Sequence, residues 1–128
     1  MDVQLAVNAV HGVRVQTVRG PVTTHELLTY LSRLYEMPDF DPGDKVVWDF
    51  READLSSLRL PDTVTVRDHI ETKLHKQKPS LAALVVHNDM DYALTTMFQT
   101  LIQGPEVRSR VFYQLDKALT WLSSRCPS

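Results

Sequence analysis

The chain has little sulfur to work with: a single cysteine, Cys126, among 128 residues. One thiol forms no internal disulfide, and a chain of this length needs none to hold a core, so a reducing compartment fits. A surplus of one charge is also missing. Fourteen basic residues face sixteen acidic ones, for a net charge of −2. No field of that size would draw nucleic acid or an anionic membrane. No run reaches the roughly 18 apolar residues of a spanning helix. The start, MDVQLAVNAV, lacks the basic and apolar regions of a secretory signal, which predicts a cytoplasmic protein. There is no G-x-S-x-G elbow, P-loop, G-x-G-x-x-G or C-x-x-C spacing. The motifs that announce an acyl-transfer serine, a nucleotide or a structural zinc are therefore absent. The expectation is a non-enzymatic domain with no cofactor and no metal.

Hydrophobic residues make up 43% of the chain, enough for one globular core over residues 1–128. Val3 to Val10 reads as a strand, His11-Gly12 as a turn, and Val13 to Val18 as a second strand in which Val13, Val15 and Thr17 alternate with Arg14 and Gln16. Thr23 and Glu26 have capping-box spacing ahead of an apolar stripe at Leu27, Leu31 and Leu34. The segment Met37 to Asp44 reads as a loop, and Lys45 to Phe50 as the third strand, with Trp48 and Phe50 facing one side and Val47 and Asp49 the other. Pro61 suits the first turn of the next helix. The clustered Lys73, His75, Lys76 and Lys78 suit its end.

Leu81 to Val86 is apolar without alternation and reads as a strand buried on both faces. A helix follows, carrying Leu94, Met97, Phe98, Leu101 and Ile102 on its stripe and ending at Gly104-Pro105. Arg110 to Tyr113 is the last strand, and Leu115, Ala118, Leu119 and Leu122 mark a C-terminal helix. A hairpin followed by βαβ units implies an α/β fold: one mixed sheet with about four packed helices.

Ligands of open α/β sheets gather beyond the carboxyl ends of the strands. There this sequence places Arg19, Asp49, Arg51, Asp54, Ser56, Ser57, His87, Asn88, Asp89, Asp91, Asp116 and Lys117. Three chemistries use such residues. Carboxylates with His87 could ligate a metal, or Asp49 could accept a phosphoryl group. Ser56 or Ser57 with His87 and an aspartate could perform acyl transfer. A serine ahead of a helix could be a phosphorylation switch, since the helix dipole favours the added charge. The simpler reading makes Asn88 or Asp89 a helix cap and the serines turn residues.

The runs E-L-L-x-Y-L (Glu26 to Leu31), P-D-F-D-P-G (Pro38 to Gly43), V-x-D-F-R (Val47 to Arg51), N-D-M-D-Y-A-L-x-x-M-F (Asn88 to Phe98) and R-V-F-Y-x-L-D-K-A-L-x-W-L (Arg110 to Leu122) resemble the SpoIIAA-like proteins. These are small bacterial domains similar to STAS anti-sigma-factor antagonists and to the lipid-binding Sec14 fold. The resemblance covers nearly the whole chain. It implies a regulatory domain that docks a protein regulator through Asp54, Ser56 and Ser57. In the antagonists a D-S-S-G or D-S-T-G motif opens the helix after the third strand, and its serine is phosphorylated. Here Asp54-Leu55-Ser56-Ser57-Leu58 inserts a leucine and replaces the glycine, while Ser57 keeps the family's distance from Asp49. The alternative is a pocket for a small apolar ligand or lipid, lined by Trp48, Phe50, Tyr92, Met97 and Phe98. Exposed edges of a mixed sheet would also allow a homodimer.

Overall fold

A computed structural model of the chain describes residues 1–8, 13–36, 45–74, 80–102 and 107–124. The expected turn at His11-Gly12, the Met37 to Asp44 loop, His75, Lys76, Lys78, the Gly104-Pro105 stop and Cys126 lie outside them. The element order is β1 (Asp2–Asn8), β2 (Val13–Pro21), α1 (Thr24–Glu36), β3 (Lys45–Asp54), α2 (Leu60–Leu74), β4 (Ser80–Val85), α3 (Asp89–Ile102), β5 (Val107–Phe112) and α4 (Leu115–Ser124). This is the mixed α/β architecture that the periodicities predict.

The five strands lie in the order β1-β2-β3-β4-β5. β1 runs antiparallel to β2, and the remaining neighbours are parallel. Each parallel crossover steps one strand in the same direction. Right-handed crossovers of that kind stack their helices on one face. Accordingly α2 lies against both α1 and α3. Leu27 of α1 and Tyr92, Leu94 and Phe98 of α3 pack on a core of Val18, Val22, Phe50, Leu84, Val86 and Val111. α4 covers the opposite face, where Ala118 and Leu122 close on Val13, Val47, Ala83 and Val85. β4 thus contributes to two cores by alternation, which explains its unbroken apolar run.

Local sequence chemistry explains the helix starts. The Glu26 backbone N–H donates to Thr23 Oγ1 at 3.2 Å, as the capping spacing predicts. The N-terminal ammonium then binds Glu26 Oε2 at 2.8 Å. Pro61 stands in the first turn of α2, and Asp62 Oδ2 accepts the Arg59 backbone N–H at 2.7 Å. Gly20 has φ +81°, the left-handed region that glycine enters without steric cost.

The largest differences from the sequence reading are at three strand ends. β2 continues to Pro21 and β3 to Asp54, because a bulge between Thr17 and Arg19 lets Gly20 and Pro21 pair with Ala53 and Asp54. β5 begins at Val107, not Arg110, since it pairs with the whole of β4. Arg14 and Gln16, which alternate with Val13, Val15 and Thr17, are both buried. They are 9% and 0% exposed, because the sheet is covered on both sides and polar alternates turn under α1. Tyr30 of α1 donates its hydroxyl to Gln16 Oε1 there and stands edge-on to Trp48.

Candidate functional site

β3 outruns β4, so its last residues rise above the sheet and face the start of α3. Asp54 ends the strand. Its Oδ1 accepts the Ser56 backbone N–H at 3.0 Å, an Asx turn that reverses the chain. Leu55 falls inward at 3% exposure, and the Leu58 N–H closes the turn on the Leu55 carbonyl at 3.0 Å. Across from this turn, Asn88 caps α3: the Asp91 N–H donates to Asn88 Oδ1 at 2.8 Å. His87 Nδ1 lies 3.8 Å from Asp91 Oδ2. Tyr113, past the end of β5, donates to Asp89 Oδ1 at 2.7 Å and stacks on Tyr92 with centroids 4.7 Å apart.

Between the two loops lies an open cleft of ≈ 800 Å³. Ala53, Leu55, Leu58, Met90 and Leu94 supply its apolar surface. Arg51, Glu52, Asp54, Ser56, Arg59, His87 and Asp91 supply charge and hydrogen-bonding groups of both kinds. Met90 is 84% exposed, an unusual state for a large apolar side chain. The carboxylates on the two walls differ. The Ser56 hydroxyl and backbone N–H hold Asp54 below the ordinary aspartate range. Burial pushes Asp91 above it, against the opposing pull of His87 and Asn88. The bond to Asp89 raises the Tyr113 phenol to about 12.

The structure separates the residues that the sequence groups together. Asp54 and Ser56 line the cleft. Ser57 instead donates its hydroxyl to the Val22 carbonyl at 2.6 Å, tying the turn to the end of β2. Asp49 is buried and clasped by Arg51, with Nε at 2.9 Å from Oδ1 and Nη2 at 2.8 Å from Oδ2. Among the described residues no group of three His, Cys, Asp or Glu side chains converges to hold an ion. His87 faces Asn88 and Asp91, and neither serine hydrogen-bonds to it. Asn88 is the cap, as the simpler reading has it.

Trp48, Phe50, Tyr92 and Phe98 do meet, in and around the core under α1 and α3, where Trp48 and Phe50 stack at 6.1 Å. Met97 does not join them. It is 44% exposed, because the buried side of α3 is centred on Asp91, Thr95 and Phe98. Helical periodicity places Met97 on an apolar stripe, but β5 lies on the Tyr92 and Gln99 flank and tilts that stripe outward. Sequence reasoning missed Arg59 and Met90. The one available signal for Met90 was a long apolar side chain set among Asn88, Asp89 and Asp91.

No family model matches the chain, and no curated protein matches its sequence. Among solved structures it is similar to an uncharacterized protein of the DUF3478 family with a SpoIIAA-like fold from Shewanella loihica PV-4. The TM-score is 0.58 at 16% identity, over 94% of this chain and 92% of that one. The order β1-β2-β3-β4-β5, the antiparallel first pair and the helices stacked on one face agree with that likeness, and the chain has a SpoIIAA-like fold.

Proposed function

We propose that the protein is a non-enzymatic regulatory domain of the STAS antagonist type, which acts by docking a protein regulator in the cleft above β3 and β4. The observation that carries this reading is the cleft's make-up: an exposed methionine and three leucines within a rim of both charges. Interfaces are built this way, with an apolar anchor surrounded by polar contacts that fix orientation. Methionine adapts to the partner's shape. A partner presenting an apolar side chain between a cation and a carboxylate would meet Arg51, Arg59, Asp54 and Glu52.

Ser56 is the residue through which such docking would be switched. It lines the cleft with its hydroxyl on the Asp54 carboxylate, while the Ser57 hydroxyl is turned away to the Val22 carbonyl. A phosphate on Ser56 would stand beside the Asp54 carboxylate and repel an acidic partner group. Ser56→Asp is expected to weaken capture of a regulator about tenfold, read by quantitative pull-down or calorimetry, while Ser56→Ala leaves it near wild type. Equal binding by Ser56→Asp would refute the switch.

A second reading, a small-ligand pocket between sheet and helices, has one observation in its favour. Gln16 is fully buried beside Tyr30 and near Trp48, and its Nε2 has no hydrogen-bond partner among the described residues. Such an amide is costly unless something accepts its bond. A ligand with an apolar body and a carbonyl or carboxylate head would do so. Native mass spectrometry is expected to show a bound species that Gln16→Leu no longer retains. Protein of bare-chain mass from several preparations would dispose of this reading.

A further inference from the structure

The two edges of the sheet are finished differently. β5 carries Arg108 and Arg110 exposed on one face, with the Arg110 guanidinium 5.4 Å from the Phe112 ring centre. A second β5 pairing with it antiparallel, in a register centred on Arg108, Ser109 or Arg110, would set arginine opposite arginine. Charges of this kind are how edge strands resist pairing. β1 has no such protection. Asp2–Asn8 contains no lysine, arginine or proline, and it keeps an unbroken register with β2 along all seven residues. Among the described residues no strand lies beside its outer side, which leaves a row of backbone N–H and C=O groups for a further strand.

We propose that β1 is a dimerisation edge, where two copies of the chain pair their β1 strands antiparallel about a two-fold axis through Leu5. The strand's own sequence selects that register. A two-fold axis normal to the sheet must pass through a residue, and only Leu5, the middle of Asp2–Asn8, lets all seven residues find partners. It then sets Leu5 opposite Leu5, Val3 opposite Val7, Gln4 opposite Ala6 and Asp2 opposite Asn8. Leu5 and the two valines meet apolar residues, Ala6 meets the neutral Gln4, and the strand's one charged residue, Asp2, meets a neutral residue and not its own copy. Like charges directly opposed destabilise a pair, and apolar cross-strand pairs stabilise it. Leu5 is 41% exposed, one of the few large apolar side chains left open among the described residues, and its partner on β2 is the buried Gln16. The pairing covers it.

The arrangement is isologous, so it closes after two copies. Joining β1 to another copy's β5 would instead propagate, and it would bury Arg108 and Arg110 against the uncharged or acidic side chains of β1 without the self-matching of the Leu5 register. The dimer carries one continuous sheet through both protomers and leaves both clefts open, since they lie beyond β3 and β4 and not at the β1 edge. It is therefore independent of the docking reading.

Sedimentation velocity over a concentration series tests the idea. Wild-type protein is expected to show a reversible monomer–dimer equilibrium. Leu5→Lys places two ammonium groups across the axis and is expected to shift the population to monomer with an unchanged circular dichroism spectrum. The register has its own test in a Cys126→Ser background. Leu5→Cys is expected to form an intermolecular disulfide readily, since its sulfur faces its own copy. Ala6→Cys is expected to react far less, since it faces Gln4. A wild-type chain that stays monomeric at high concentration overturns the proposal. So does a dimer that survives Leu5→Lys, or equal crosslinking at the two positions.

Discussion

Met90→Asp is expected to abolish capture of a protein partner while leaving the fold intact. The loss should reach at least about 30-fold in affinity, the cost of about 2 kcal/mol that a central apolar anchor carries when it is removed. Met90 projects from the first turn of α3 at 84% exposure, so little packing is lost when it is replaced. Exposed substitutions of this kind stay within about 0.5 kcal/mol of wild-type stability. An aspartate in the first turn also suits the positive end of the helix dipole. Thermal melting should therefore superimpose on wild type. Met97→Asp is the matched control: it is another exposed methionine on the same helix, but it does not line the cleft. If both variants bind as wild type does, the cleft is not the docking surface. If both lose binding equally, the surface extends along α3 and the cleft alone does not define it.

Leu122→Ala should give the largest loss of stability, about 3 kcal/mol by urea titration. That corresponds to roughly 10 °C in melting temperature for a chain of this size. Leu122 is fully buried and is the residue of α4 that closes on Val13, Val47, Ala83 and Val85. These neighbours sit on three adjacent strands, which cannot collapse into the space without breaking sheet pairing, so the cavity term is kept. Leu119, only partly buried against the same cluster, should cost less when truncated. α4 lies on the face opposite α1–α3, away from the cleft. Leu122→Ala should thus retain partner binding well below its melting point. A change under about 1 kcal/mol would mean that α4 is not held to the sheet by this contact.

Much of the fold was legible in the linear pattern. The period of two in β2, the period near 3.6 in α1 and α4, the unbroken apolar run of β4 and the Thr23–Glu26 spacing are local signals, and each element formed where its signal lay. Local signals failed where a neighbour decided. Arg51 to Asp54 looks like a polar loop, yet it is strand because the bulged end of β2 offers it hydrogen bonds. Arg14 and Gln16 are polar alternates in β2, yet both are buried. Met97 looks like core, yet the position of β5 turns it out.

The site divides the same way. The sequence could place Ser56, Ser57 and Asn88 beyond strand ends, because chain direction alone puts them there, and it could make Asn88 a cap, because that bond spans three residues. It could not tell Ser56 from Ser57. That choice rests on the Val22 carbonyl, thirty-five residues away, which takes the Ser57 hydroxyl. Nor could it show that Arg59, Leu58 and Met90 share one cleft. Periodicity, capping and strand order are set by residues within a turn or two of each other. Which serine lines the cleft, which methionine lines it and which edge of the sheet lacks a neighbouring strand among the described residues depend on contacts between segments far apart in the chain, and those exist only once it is folded.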